Sequence, residues 1–187
     1  MVKKINVCVF ISGNGSNLKS IIKNSRDYNF PIKIKLVISN NRKAYGLKYA
    51  KIHKIPFKFY NSVNQNIFER NCLKELKRNK IKLLCLAGFM KILSKNFIKN
   101  FRYKILNIHP SLLPKFKGLN THKRVLKSNE DYTGSTVHYV TPKLDSGKII
   151  LQKKIKINKN ETEKTLKKRI LIQEHLLYPK AIRKALK

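Results

Sequence analysis

The pattern that most constrains this chain is a strand-like apolar run followed, again and again, by a break and a helix-like spacing. INVCVFI (5–11) is broken by SGNGSN, and NLKSIIKN then has apolar residues at the three-and-four spacing that opens a helix. IKIKLVIS (32–39) reads as a second strand, a helix runs through AYGLKYAKIH, and a short strand lies near PFKFY. A helix is predicted over 65–79, where Ile67, Phe68, Cys72, Leu73 and Leu76 share one face. IKLLCLA (81–87) and KILNI (104–108) are the next strands, with a short helix around SKNFIKNF between them. The last third changes character: STVHYVT and GKIILQKKIKI alternate around a PKLDSG turn, and a final helix starts near Thr162. The expectation is an α/β chain with a Rossmann-like, doubly wound, mostly parallel sheet, an antiparallel C-terminal strand pair and a long C-terminal helix. No linker or repeat interrupts its 187 residues, so a single domain over 1–187 is expected.

Charge raises the question of a polyanion partner. Lys and Arg number 43 against 9 Asp and Glu, a formal net charge of +34. The lysines, however, fall in nearly every segment, even between strand residues in KIKL and KKIKI, whereas a nucleic-acid module gathers them on one stripe with interleaved aromatics. Compositional drift is therefore the preferred reading, with no specific nucleic acid as partner. Cys8, Cys72 and Cys85 are too few and too far apart for a zinc set or a disulfide framework, and they read as buried thiols of a reducing compartment. No apolar run approaches the length of a membrane span, and the chain enters a strand almost at once. A cytoplasmic protein without membrane contact is expected.

Ligands of doubly wound sheets collect beyond the C-terminal ends of the strands, so those ends carry the functional reading. After the first strand come Ser12, Gly13, Asn14, Gly15, Ser16 and Asn17, where glycines let the backbone approach a ligand and the helix start attracts an anion. The spacing is neither a dinucleotide fingerprint nor a Walker loop and fits a single phosphate better; a plain turn capped by Ser16 or Asn17 is the competing reading. LAGFMKIL (86–93) offers Phe89 and Met90 as an apolar wall, with ordinary core as its alternative. ILNIHPSLLPKFKG (105–118) carries the strongest signal. Asn107 and His109 are two residues apart, so an extended chain points both side chains to one side, and Pro110 and Pro114 lead the chain away. An amide and an imidazole aimed together fit chemistry on a carbonyl: Asn donates to a developing oxyanion and His supplies or accepts a proton. Asp145, in the KLDSG turn, is the acidic candidate to orient that ring and to favour its charged form, unless it is simply a turn residue ahead of Gly147.

SGNGSNL, LAGFMKIL, ILNIHPSLLPKFKGLNTH, GSTVHYVTPKLDSGKIILQ and QEHLLYPK, in this order and over residues 5 to about 180, resemble the folate-dependent phosphoribosylglycinamide formyltransferases of purine synthesis. The Asn-x-His-Pro-Ser-Leu-Leu-Pro block and the later Asp are shared across the wider formyltransferase superfamily, while GNGSN and QEH narrow the likeness. The resemblance implies that Asn107, His109 and Asp145 are catalytic and that Gly13, Asn14, Gly15, Ser16 and Asn17 hold the ribonucleotide phosphate. Glu174, with Gln173 beside it, would contact the same substrate. It implies a folate pocket lined by Phe89, Met90, Lys91, Ile92 and Leu93 and by Thr141, Pro142, Lys143, Leu144 and Asp145, with Asn107 touching the folate as well. His138 falls near the site. At Gln65 the family often has arginine, which puts one charge contact to the folate in doubt, and Lys91 stands where arginine is common.

The implied reaction is direct transfer of the formyl group of 10-formyltetrahydrofolate to the amine of 5-phosphoribosylglycinamide (GAR). It needs no metal and no covalent enzyme intermediate. The implied partners are these two small molecules, and a monomer or weak homodimer is expected. Within the superfamily, methionyl-tRNA formyltransferase typically adds a C-terminal nucleic-acid-binding domain and formyltetrahydrofolate hydrolase an N-terminal regulatory domain; neither is expected here. A nucleic-acid-binding module without catalysis is the alternative from a different class, and salt-titrated binding discriminates it.

Overall fold

The structure, a computed structural model, describes residues 3–187. Seven strands form one sheet of order β3-β2-β1-β4-β5-β6-β7. The chain divides into two compact units, the first ending at Leu106 and the second spanning Asn107–Lys187.

In the first unit β1 (Ile5–Ile11) pairs in parallel with β2 (Ile32–Ser39) and with β4 (Leu83–Leu86), and β2 pairs in parallel with β3 (Phe57–Phe59). Central parallel strands are covered on both faces, which is why Val7 to Ile11 and Leu83 to Leu86 are apolar without alternation and all buried. The crossover helices are α1 (Ser16–Ser25), α2 (Gly46–Ile52) and α3 (Gln65–Arg78), and α4 (Lys95–Phe101) follows β4. Helix α1 turns Leu18, Ile21 and Ile22 inward, and α3 turns Phe68, Cys72 and Leu76 inward. The side chains of Asn64 and Ser94 cap α3 and α4 by accepting from Ile67 N and Phe97 N. Cys8, Cys72 and Cys85 are buried, none in a disulfide, and burial pushes the thiols of Cys8 and Cys72 well up, so these two stay protonated.

The second unit holds the end of β5 (Lys104–His109), α5 (Thr121–Leu126), β6 (Tyr132–Tyr139), β7 (Ile149–Lys156) and α6 (Glu163–Ala185). Strands β6 and β7 are antiparallel, as the alternation predicts. Val125, Leu166 and Ile170 form a buried cluster with Phe116, Leu126, Ile155 and Ile157 packed against it. Helix α6 opens on a capping box in which Thr162 accepts from Thr165 N and the Thr165 hydroxyl accepts from Thr162 N. No helix among the described residues is long and apolar enough to cross a membrane.

Candidate active site

In the second unit the end of β5 presents Asn107 and His109, and the turn before β7 presents Asp145. The Asp145 carboxylate is the hub. Its Oδ2 accepts from Gly118 N at 2.9 Å and lies 3.4 Å from His109 Nδ1, and its Oδ1 lies 3.5 Å from His138 Nε2. His138 Nε2 is in turn 3.2 Å from Asn107 Nδ2. The side chains of Asp145, His109 and His138 are only 7, 7 and 2% exposed. Thus Asn107, His109, His138 and Asp145, predicted from three separate sequence blocks, form one connected cluster.

Hydrogen bonds to backbone carbonyls fix the rings. His109 Nε2–H donates to Phe116 O at 2.8 Å, so Nδ1, facing Asp145, is the nitrogen that gains or loses a proton. His138 Nδ1–H donates to Tyr139 O at 2.9 Å, which leaves its Nε2 to accept one N–H of Asn107 and frees the second for a ligand. Burial pulls the His109 pKa below its ordinary value, against the Phe116 carbonyl and the Asp145 charge, which both pull it up. Burial likewise pushes Asp145 up, but the polar groups set around the carboxylate, His138, the Gly118 N–H and His109, outweigh it and hold the carboxyl at about 2.

Strained backbone builds this cluster. Phe116 and Asp145 have φ of 56° and 44°, a left-handed conformation uncommon for a non-glycine residue and least tolerated by a bulky one. In that conformation Phe116 carries the carbonyl that takes His109, and Asp145 carries the carboxylate. The proline loop between His109 and Phe116 is pinned from β6 and β7: Gln152 Nε2 donates to Leu113 O at 2.8 Å and to Thr136 Oγ1 at 2.9 Å, and Thr136 Oγ1 donates to Ser111 O at 2.6 Å. On α6, Glu174 is buried, and Gln173 beside it is half-buried.

A depressed carboxyl pKa stabilises the fold only while the group is ionised. The contribution of Asp145 is complete above its ordinary value near 3.8 and disappears as the pH falls toward about 2. It amounts to about 2 kcal/mol. Asp145→Asn is expected to lower the melting temperature at pH 7 and to close most of the gap to wild type near pH 2, as measured by calorimetry.

In the first unit the loop after β1 leads directly into helix α1. Gly15 has φ 70° and provides no side-chain cap, so the N–H groups opening the ten-residue helix α1 are not taken by a cap. Gly46 N donates to Gly13 O at 3.0 Å, and a Cβ on Gly15 would lie 2.4 Å from Gly46 Cα. Only glycine lets the loop seat against the start of α2. Gly13 and Asn14 are exposed, Ser16 is half-buried and Asn17 is buried.

The segment after β4 separates its predicted folate residues into two groups. Phe89 turns into the core, 5.3 Å from the Phe10 ring and 6.0 Å from the Phe68 ring, and Leu93 is also buried. Met90, Lys91 and Ile92 are exposed, Met90 at 64% and Ile92 at 63%. Gln65 Nε2 donates to Ile92 O at 3.1 Å and to Glu69 Oε1 at 3.0 Å, and the buried Glu69 carboxylate also takes Ser94 N and Ser94 Oγ. Gln65 thereby holds the segment from behind with its amide nitrogen. In the second unit Thr141, Pro142, Lys143 and Leu144 are all exposed. Ser12, read in the sequence only as part of the glycine loop, and Glu69, not singled out there, act through side-chain pairings distant in sequence, and Phe116 and Gly118 act through backbone groups that no side-chain signal marks. Among the described residues, no cluster of three His, Cys, Asp or Glu is arranged to hold a metal ion.

Comparison with known proteins adds a family to this geometry. The sequence family described as formyl transferase matches residues 5–182. Phosphoribosylglycinamide formyltransferase of Escherichia coli is 37% identical over 183 residues, 95% of this chain and 85% of the relative. The human trifunctional purine biosynthetic protein adenosine-3 is 41% identical over 183 residues, 96% of this chain; the chain spans only 18% of that relative's length. Among solved structures, phosphoribosylglycinamide formyltransferase from Brucella melitensis superposes with a TM-score of 0.92 at 39% identity, covering 97% of this chain and 95% of that one. With a match to nearly its whole length, the chain belongs to the formyl transferase family.

Proposed function

We propose that the chain is a single formyltransferase domain that moves the formyl group of 10-formyltetrahydrofolate to the amine of GAR, in purine synthesis. The observation that carries this reading is the buried cluster in which an ionised Asp145 lies against His109 and His138 while Asn107 keeps one N–H uncommitted. The E. coli and Brucella relatives, whose names state GAR formylation, support the choice of acceptor.

The glycinamide amine attacks the formyl carbon, and the carbonyl oxygen becomes an oxyanion. The free N–H of Asn107 donates to it, a contribution worth about 3 to 4 kcal/mol in comparable sites. Negative charge there favours a proton on His109 Nδ1, which burial keeps neutral near pH 7 in the free protein. Asp145 balances the imidazolium and helps pass the proton lost by the amine, through water, to the leaving folate nitrogen; the C–N bond to folate then breaks and tetrahydrofolate departs. In the first unit residues 13–17 would hold the phosphate of GAR; in the second, Gln173 and the buried Glu174 are the residues assigned to the same substrate. In the first unit Met90, Lys91 and Ile92 would face the folate, with Phe89, Leu93 and Gln65 shaping that wall from behind; in the second, the exposed 141–144 turn is the segment assigned to the same ligand. Both substrates are anions, which suits the positive charge of the chain. The buried thiols fit a reducing, cytoplasmic setting.

The test is acceptor dependence. Purified protein is mixed with 10-formyltetrahydrofolate and GAR, with methionyl-tRNA, or with no acceptor, and tetrahydrofolate is followed. Release only with GAR is expected; release without acceptor would mean hydrolysis, and release only with the tRNA would move the protein to another branch of the family.

A further inference from the structure

Ser12 is the first residue beyond β1, and every polar group it has is engaged. Its N–H donates to Gly88 O at 3.1 Å, and its hydroxyl oxygen accepts from Met90 N at 2.8 Å. The hydroxyl proton goes to Asn40 Oδ1 at 2.7 Å, and the Ser12 carbonyl accepts from Asn41 Nδ2 at 3.1 Å. Asn40 is anchored in turn by donating to Ser62 Oγ at 3.2 Å. A serine hydroxyl has one proton, so the direction is set: Met90 N–H to Ser12 Oγ–H to Asn40 Oδ1.

These bonds join two segments of different purpose. On one side lies the glycine loop 13–17, pinned to Gly46. On the other lies the segment 88–94, fixed at its far end by Gln65 and Glu69 and exposing Met90 and Ile92 at its middle. Two hydrogen bonds from one residue bracket the Gly88–Met90 turn, so the glycine loop cannot shift without shifting the start of the exposed segment.

We propose that Ser12 is a positioning residue that couples the two ligand sites, so that a phosphate seated in the loop orders the 88–94 segment for the folate, and the reverse. The inference rests on the functional reading above, which places GAR at the first segment and the folate at the second. Neither ligand needs to touch Ser12. The first ligand to bind bears the ordering cost of both segments, and the second binds more tightly because that cost is already met. By linkage the factor is the same in either order of addition.

The test uses GAR and tetrahydrofolate, which carries no formyl group, so no turnover occurs. Tetrahydrofolate affinity is measured by calorimetry with and without saturating GAR. In the wild type GAR is expected to tighten it by about fivefold or more. Ser12→Ala should bring that ratio close to one, and Ser12→Thr, which keeps the hydroxyl, should restore it. A purely structural role would weaken each ligand alone and leave the ratio unchanged. Asn40→Ala, which removes the acceptor that orients the hydroxyl, gives the same expectation should Ser12→Ala fold poorly. A wild-type ratio near one, or a ratio that survives both variants, overturns the coupling. Failure of the wild type to bind either ligand alone would instead overturn the functional reading on which it stands.

Discussion

His109→Asn lowers kcat by about a thousandfold while the dissociation constants for GAR and tetrahydrofolate stay within about threefold of wild type, a size set by what proton-transfer groups and oxyanion donors contribute. The split follows from geometry. His109 is 5% exposed, held by the Phe116 carbonyl on one side and Asp145 on the other, and its titrating nitrogen is Nδ1. Asparagine retains a polar amide of similar reach but cannot hold a positive charge beside Asp145, so the substitution removes what matters only once the oxyanion forms. Steady-state rates with separately measured ligand affinities check this. Equal losses in kcat and affinity would mean that His109 serves the shape of the site and not the transfer step.

Gly15→Ala is expected to weaken GAR binding about a hundredfold, the scale at which small displacements of a positioned site cost function. The loop is fixed by backbone against backbone: the added Cβ would lie 2.4 Å from Gly46 Cα, at a φ of 70° that already disfavours alanine. No flexible side chain can yield, so α2 or the loop must move. A stability loss of about 2 kcal/mol should accompany it. GAR titration and thermal unfolding give the two readings. Unchanged GAR affinity would detach the loop from the phosphate, whereas Gly13→Ala, where a Cβ meets nothing within 4 Å, should be tolerated by the fold.

Much of this architecture is legible in the sequence, for identifiable reasons. Strands β1 and β2 begin and end where their apolar runs do, because buried parallel strands need apolar residues on both faces. The two-residue spacing of Asn107 and His109 suffices to bring both to the Asp145 cluster. IKLLCLA yields a strand only over Leu83–Leu86, because Ile81 N turns back to Leu76 O as α3 closes. Helix α5 escapes notice, as six residues of THKRVL carry too little periodicity. Strand β6 starts at Tyr132, ahead of the STVHYVT run, since Tyr132 and Thr133 pair with Lys156 and Ile155. Whether Phe89 faces core or ligand is undecidable from an apolar run; its neighbours Phe10 and Phe68 come from β1 and α3. The Phe116 carbonyl that fixes His109 has no side-chain signature at all, and Ser12 meets Met90 across 78 residues of chain.

The most direct measurement follows the formyl carbon itself. 10-Formyltetrahydrofolate labelled with carbon-13 in the formyl group is mixed with GAR and an excess of protein, and the label is located by NMR after one turnover. The predicted result is label on the glycinamide nitrogen with wild-type protein, and label still on the folate over the same interval with Asp145→Ala. Label appearing as free formate with the wild type, or transferred equally fast by Asp145→Ala, would contradict transfer by the Asn107, His109 and Asp145 cluster.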